Sequence, residues 1–233
     1  MKQSVISELE DARGKLSAYA ALLHYRLANV CVKAAPEALL SITVKVEGQE
    51  QTIESVARAR LAEGRDDRFE IYPLAPEFLL PLVKGIQMAH PEFKLDIVGF
   101  EGSDEPEDRY IEATIPEVND VRHDFLVEAV KLLSDGCNAQ LEATFAAFTA
   151  RLATKLAGLP ADELDEAKDQ LQQLHDSACN LCKQYKTNKE EEIEGAYKQY
   201  KAERAEKEAR IQETVAAHNE KAGMQMKFNP EDE

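Results

Sequence analysis

The sequence predicts an α+β protein in which a three-helix bundle is interrupted by a small β/α/β domain. Both ends of the chain repeat apolar residues at helical spacing over long stretches. Between them, residues 33–116 are rich in β-branched residues and hold seven of the nine prolines. Neither end buries its apolar stripe alone. We therefore expect residues 1–32 and 117–233 to form the bundle with a C-terminal helical extension, and residues 33–116 to form the insert.

The first helix is predicted over residues 4–30, with Ser4 or Ser7 as its N-cap. Its apolar residues recur at helical spacing: Ile6, Leu9, Leu16, Tyr19, Ala20, Leu23 and Leu27. In the insert, strands are predicted over 41–48, 68–72, 93–98 and 109–115, and a helix over 76–88. Gly48 indicates a turn, and residues 102–108 indicate an acidic loop. Segments near 31–35 and 113–118 are expected to connect the two domains as a hinge.

The second bundle helix is predicted from Asn119 or Asp120 to about residue 157, where Gly158 and Pro160 break the pattern. The third helix then carries a seam of Leu164, Ala167, Leu171, Leu174, Ala178, Leu181 and Tyr185. The seam weakens after residue 186. Residues 189–213 predict a solvated helical extension, with Gly223 and Pro230 marking its end.

Composition narrows the function classes. There are 28 Lys and Arg residues against 44 Asp and Glu residues, a formal net charge of −16 that disfavours nonspecific binding to phosphate backbones and to anionic membranes. The sequence contains neither a transmembrane stretch nor a signal-peptide profile. Four scattered cysteines do not make a disulfide framework, so we expect a reducing, cytoplasmic location.

Motifs for catalysis are missing from the sequence, so we expect neither an enzyme nor a cofactor. The histidines form no triad pattern, and there is no glycine-rich phosphate loop. His175, Cys179 and Cys182 share one face of a predicted helix and are a weak candidate metal site. The simpler interpretation is that they are core or flanking residues of that helix.

Residues 137–148 carry one charge, Glu142, in a chain of 31% charged residues. Their apolar side chains spread around most of the predicted helix. This pattern leaves three explanations open: the helix is enclosed on several sides, the C-terminal extension packs back on it, or it offers an apolar docking patch. We favour intramolecular packing over a docking patch.

Several ordered segments resemble the ribosome recycling factor family. The clearest runs from Tyr110 to Leu126 (YIEATIPEVNDVRHDFL) and is similar to the family stretch that ends the insert and starts the second helix, with Pro116 and Arg122 in their places. Other segments resemble the family in the same order: 35–40, 42–48, 69–72, 78–86 and 162–174. The resemblance covers roughly residues 5–195 and implies an L-shaped protein, a three-helix bundle joined by a hinge to a β/α/β domain.

The same resemblance exposes a difference at the family's RNA-binding surface. Where the family clusters arginines early in the second helix, this chain has Leu141, Glu142, Thr144 and Phe145. Where the family's first helix ends in an Arg-Thr-Gly-Arg motif, this chain has Cys31-Val-Lys-Ala. We predict a partner-binding surface that comprises Leu141, Thr144, Phe145, Arg122, Arg151 and Lys155.

Two functions follow as hypotheses. The resemblance implies a non-catalytic factor with a translation-related or ribosome-associated role and a divergent RNA-binding surface. Its partner would be the large ribosomal subunit or a ribosome-associated protein, with elongation factor G as a further partner. The missing arginines and the acidic charge favour the alternative, a protein-binding adaptor that does not recycle ribosomes and has an unknown protein partner. Neither hypothesis involves a membrane.

Overall fold

The computed structural model describes the backbone of residues 3–99, 105, 108–157 and 161–227. The acidic loop predicted over 102–108 lies mostly outside these residues, as do the predicted break at 158–160 and Pro230. The described residues form five α-helices: α1 (Gln3–Ala28), α2 (Ile53–Val56), α3 (Leu79–Ala89), α4 (Asp120–Lys155) and α5 (Ala161–Lys227). They also form six strands: β1 (Thr43–Val46), β2 (Gln49–Thr52), β3 (Ala57–Leu61), β4 (Arg68–Pro73), β5 (Lys94–Gly99) and β6 (Arg109–Thr114).

Helices α1, α4 and α5 form the predicted bundle, in which each helix contacts the other two. The buried side of α1 follows the spacing of a helix that is covered on one face: Val5, Leu9, Ala12, Leu16, Ala20, Leu23 and Leu27. Because α1 begins at Gln3, Ser4 and Ser7 lie inside the helix, and the prediction that one of them is its N-cap was wrong. Asn119 does cap α4, since its side chain accepts a hydrogen bond from the backbone N–H of Arg122 at 2.9 Å.

Among the predicted seam residues of α5 whose side chains the structure describes, which leave out Leu164, Leu181 differs from the prediction. Leu181 is 38% exposed, whereas its neighbour Cys182 is 2% exposed and lies in the core. A straight helix has 3.6 residues per turn, so a strict 3.5-residue repeat drifts off the buried side after a few turns. The helix also continues through Gly223 to Lys227, so Gly223 does not mark its end.

The insert contains two antiparallel sheets. Strands β1 and β2 pair as a hairpin whose two turn residues, Glu47 and Gly48, both have positive φ (50° and 85°), as a tight primed turn requires. The other four strands pair in the order β3-β4-β6-β5. Helix α3 lies against β1, where Gly85 approaches so closely that an added Cβ would stand 2.7 Å from the carbonyl oxygen of Thr43. A short 3₁₀ turn over Pro76–Phe78 precedes α3 and replaces the first turn of the predicted helix.

The buried residues divide into an insert core and two clusters in the bundle, and the chain crosses between insert and bundle twice. On the way in, Cys31 belongs to the insert core and its neighbour Val32 to the bundle core. On the way out, Ile115 belongs to the insert core and Val118 to the bundle core. We call residues 31–34 and 115–118 the junction. Among the described helices, none has the length and apolarity that crossing a membrane requires.

Candidate binding surface and junction

The exposed surface of α4 between residues 138 and 150 carries one charged side chain, Glu142. The other exposed positions are Asn138, Ala139, Gln140, Ala143, Ala146, Ala147, Thr149 and Ala150. We call these exposed residues the α4 surface. Because the exposed apolar positions of the run are all alanines, the surface presents little apolar area and almost no charge.

The larger apolar side chains of this run point inward. Leu141 is fully buried in the bundle core, and Phe148 is buried in a second bundle cluster near the start of α1. Phe145 is half-buried against that second cluster, with its ring centroid 4.6 Å from that of His175 on α5. Thr144 is also half-buried. Of the three predicted partner-binding residues in this run, Leu141 therefore lies in the core. Thr144 and Phe145 lie at the edge of the α4 surface.

Arg151 and Lys155 are engaged within the protein. Lys155 donates a hydrogen bond to Glu8 of α1 at 2.6 Å, and Arg151 lies 3.8 Å from the same carboxylate and over the ring of Phe148. The hydrogen bond from Lys155 holds the pKa of Glu8 below its usual value. Both cations remain about half exposed, so they face solvent while paired.

Arg122 fastens the junction. Its guanidinium donates one hydrogen bond to the carbonyl oxygen of Cys31, at 2.7 Å, and another to the carbonyl oxygen of Pro116. One side chain of α4 thus holds both segments that pass between the cores. Desolvation lowers the pKa of Arg122, and the negative charge of Glu92 opposes that shift.

The predicted metal site is only partly assembled. His175 Nε2 lies 3.5 Å from Cys179 Sγ and 3.4 Å from a carboxylate oxygen of Glu142. Cys182 instead faces Cys137 of α4, with 3.6 Å between the two sulfur atoms. Burial raises the pKa of Cys182 to about 12, which keeps this thiol protonated at neutral pH.

A second cluster of possible metal ligands lies at the junction, and the sequence analysis did not identify it. Cys31, His90 and Glu92 each place one ligand atom within 4.8 Å of the others. Burial acts to lower the pKa of His90, but the hydrogen bonds of its ring to Cys31 and Glu92 raise the pKa to about 10. These residues share no local motif, because 59 positions separate Cys31 from His90.

The C-terminal extension contacts the bundle as far as the start of α4. Tyr197 donates a hydrogen bond to Asp120 at 2.6 Å and stacks on His123, which in turn lies 2.7 Å from Glu194. Every described residue from 201 to 219 is exposed. The described residues of the extension therefore do not pack on α4 near Phe145, and for them that explanation of the apolar run was wrong.

The family model described as "Ribosome recycling factor" matches residues 26–193, well over half of the chain. The chain therefore belongs to the ribosome recycling factor family, whose members are non-enzymatic translation factors.

Two solved structures are similar in fold. One is the solution structure of the ribosome recycling factor, at 16% identity and a TM-score of 0.67, with 84% of this chain and 100% of that chain covered. The other comprises models of the T. thermophilus ribosome recycling factor and the E. coli elongation factor G bound to the E. coli post-termination complex. It aligns at 19% identity and a TM-score of 0.55, covering 81% of this chain and 98% of that chain. Comparison with curated protein sequences gave no match.

Proposed function

We propose that this protein is a non-catalytic, ribosome-associated factor of the cytoplasm that docks with few phosphate contacts. The observation that carries the proposal is that a member of the ribosome recycling factor family exposes one charge, Glu142, between residues 138 and 150 of α4. Arg122 is engaged at the junction, and Arg151 and Lys155 are the nearest cations left on this helix. Domain bounds of 1–32 and 117–233 for the bundle and 33–116 for the insert form part of the proposal.

The partner we propose is the large ribosomal subunit or a protein bound to it. A solved structure similar in fold contains a ribosome recycling factor with elongation factor G on a post-termination complex, and we extend that pair of partners to this chain. The outward-facing cations, rather than a dense arginine cluster, would make the phosphate contacts. Thr144 and Phe145 lie beside this surface at the edge of the second bundle cluster.

Co-sedimentation with large ribosomal subunits over a salt series tests this function. With about two phosphate contacts, the affinity falls only about tenfold between 50 and 200 mM salt, whereas six to ten contacts lose about 10³–10⁵-fold. Lys155→Ala should reduce the slope by about one contact, and Lys168→Ala, an exposed lysine on α5, serves as the matched control. No co-sedimentation at 50 mM salt refutes the proposal.

The nearly uncharged α4 surface supports a second candidate, a protein-binding adaptor that does not recycle ribosomes. A surface of exposed alanines with little charge suits protein contact better than phosphate contact. Its test is Ala146→Glu, which adds a charge to this surface without disturbing the core. Ala205→Glu, on the exposed extension, is the matched control. Phe145→Glu is a poorer probe because Phe145 is half-buried against the second bundle cluster.

Native co-purification of the wild-type protein and of the Ala146→Glu and Ala205→Glu variants separates the two functions. If wild-type protein retains ribosomal RNA and ribosomal proteins, the ribosome-associated function is supported. If it retains a defined protein without ribosomal RNA, and Ala146→Glu alone loses that protein, the adaptor function is supported.

A further inference from the structure

We propose that Cys31, His90 and Glu92 form a zinc-binding site that joins the end of the first bundle helix to the insert. The set offers one thiol sulfur, one imidazole nitrogen and one carboxylate oxygen, all within 4.8 Å of one another. These are the three ligand types that zinc accepts in proteins, and a site with three protein ligands keeps its fourth position for water.

The imidazole of His90 is fixed in the orientation that a metal ligand needs. Its Nε2 lies 2.9 Å from the carbonyl oxygen of Ala38, which can only accept a hydrogen bond, so Nε2 carries the hydrogen. Phe93 stacks on the ring, with centroids 4.4 Å apart and planes 8° apart. The other nitrogen, Nδ1, faces Cys31 and Glu92, and a proton held there would be released when a metal binds. A backbone acceptor on the far nitrogen is the usual support of a metal-binding histidine.

The two separations measured from the imidazole nitrogen are close to those around a tetrahedral zinc ion. Nδ1 of His90 lies 3.8 Å from Cys31 Sγ and 3.4 Å from a carboxylate oxygen of Glu92. Zinc bonds of about 2.3 Å to sulfur and about 2.0 Å to nitrogen and oxygen give separations of about 3.6 and 3.3 Å between tetrahedral ligands. Shifts of a few tenths of an ångström would bring Nδ1 to these separations from both partners. The third pair, Cys31 Sγ and the Glu92 carboxylate oxygen, lies within 4.8 Å.

Charge and access also suit a divalent cation. A Cys31 thiolate and the Glu92 carboxylate together cancel the charge of Zn²⁺, so the loaded site adds no net charge beside the Arg122 guanidinium. The sulfur and the imidazole are buried, whereas the Glu92 side chain is 36% exposed and leaves an open side for the ion and a water. Without metal, the Cys31 thiol has the carbonyl oxygen of Asn29 at 3.5 Å as a hydrogen-bond acceptor.

Zinc at this position would act on the junction. Cys31 follows α1 by three residues, and His90 and Glu92 follow α3 in the insert. One ion would therefore tie the incoming segment to the insert, next to the point where Arg122 ties it to α4. Hydrogen exchange of the backbone at residues 31–34 should slow when zinc binds, because zinc binds only while Cys31 lies against the insert and so stabilises that arrangement by mass action.

The test is a zinc titration of the full-length, metal-free protein under reducing conditions, with a competing zinc-binding dye as the readout. We expect one zinc per chain. Cys31→Ser and Glu92→Gln should each weaken binding about 10–100-fold or more, the range known for residues that only support metal ligands. Cobalt replacing zinc should show sulfur-to-metal charge-transfer absorption that Cys31→Ser abolishes.

The second ligand cluster provides the matched control. Cys179→Ser removes the thiol of the Glu142, His175 and Cys179 group and should leave the affinity unchanged. Glu92→Gln keeps the test valid if Cys31→Ser fails to fold, since the Glu92 side chain is partly exposed. No binding at micromolar zinc, or binding lost in Cys179→Ser but kept in Glu92→Gln, overturns the proposal.

Discussion

Replacement of Arg122 by Met is expected to loosen the attachment of the insert to the bundle. The guanidinium donates to carbonyl oxygens on both junction segments, those of Cys31 and Pro116. A hydrogen bond to a charged group contributes about 1.5–3 kcal/mol, and a carbonyl left unpaired costs about as much when buried. Since Arg122 is only half-buried, water replaces part of the loss. We expect the free energy of unfolding to fall by about 2–3 kcal/mol.

Urea unfolding followed by circular dichroism measures this loss, and hydrogen exchange at residues 31–34 and 115–118 localises it. The matched control is Arg151→Met. Arg151 pairs with Glu8 at the surface and should cost no more than about 1 kcal/mol. Arg122→Lys should be intermediate, because one ammonium cannot repeat the two-pronged geometry of a guanidinium. If Arg122→Met loses no more stability than Arg151→Met and the junction amides exchange at the wild-type rate, Arg122 does not fasten the junction.

Two further predictions concern stability. Gly85→Ala should cost about 1–3 kcal/mol, because the new Cβ meets the carbonyl oxygen of Thr43 at 2.7 Å and the backbone must shift. Gly136→Ala has open space around its Cβ within α4 and should gain about 0.5–1 kcal/mol, so urea midpoints that move the same way in both variants contradict this reasoning. The hydrogen bond to Glu194 raises the pKa of His123, so protonation stabilises the fold. This contribution is fully present below about pH 6.5, the unfolded pKa, and is lost as the pH rises through the folded pKa. Because the Glu194 carboxylate is about half exposed, we expect less than about 1 kcal/mol, and Glu194→Gln should flatten the pH profile of thermal unfolding.

The sequence was sufficient to predict the bundle, because each of its helices buries one continuous stripe. The buried residues of α1 from Leu9 to Leu27 keep helical spacing, and Asn119 caps α4 where a cap was expected. The same local rules missed β2, α2 and β3. Strand β2 has the sequence Gln-Glu-Gln-Thr, and three of its four residues are exposed. It therefore lacks the alternation of apolar and polar residues that predicts a strand.

The candidate sites are formed by residues that lie far apart in the sequence. The periodicity of apolar residues does not predict which of them come into contact. Arg122 was expected at a partner-binding surface, yet it reaches a carbonyl 91 residues earlier in the chain. Cys31 and His90 meet only because the sheet and α3 fold the insert back on the end of α1. Cys182 rather than Leu181 is buried because a straight helix has 3.6 residues per turn, so its buried side drifts away from a 3.5-residue repeat. The type of side chain does not decide it.

The chain enters and leaves the insert at one point, because a single guanidinium reaches the carbonyl oxygens of Cys31 and Pro116. A linker of a few residues between these positions would therefore span the gap and connect α1 directly to α4. Shortening the connection from roughly 80 residues to about four lowers the entropic cost of loop closure by about 3 kcal/mol. The three helices then become neighbours in sequence as well as in space, an arrangement with mostly local contacts that is typical of fast-folding helical bundles.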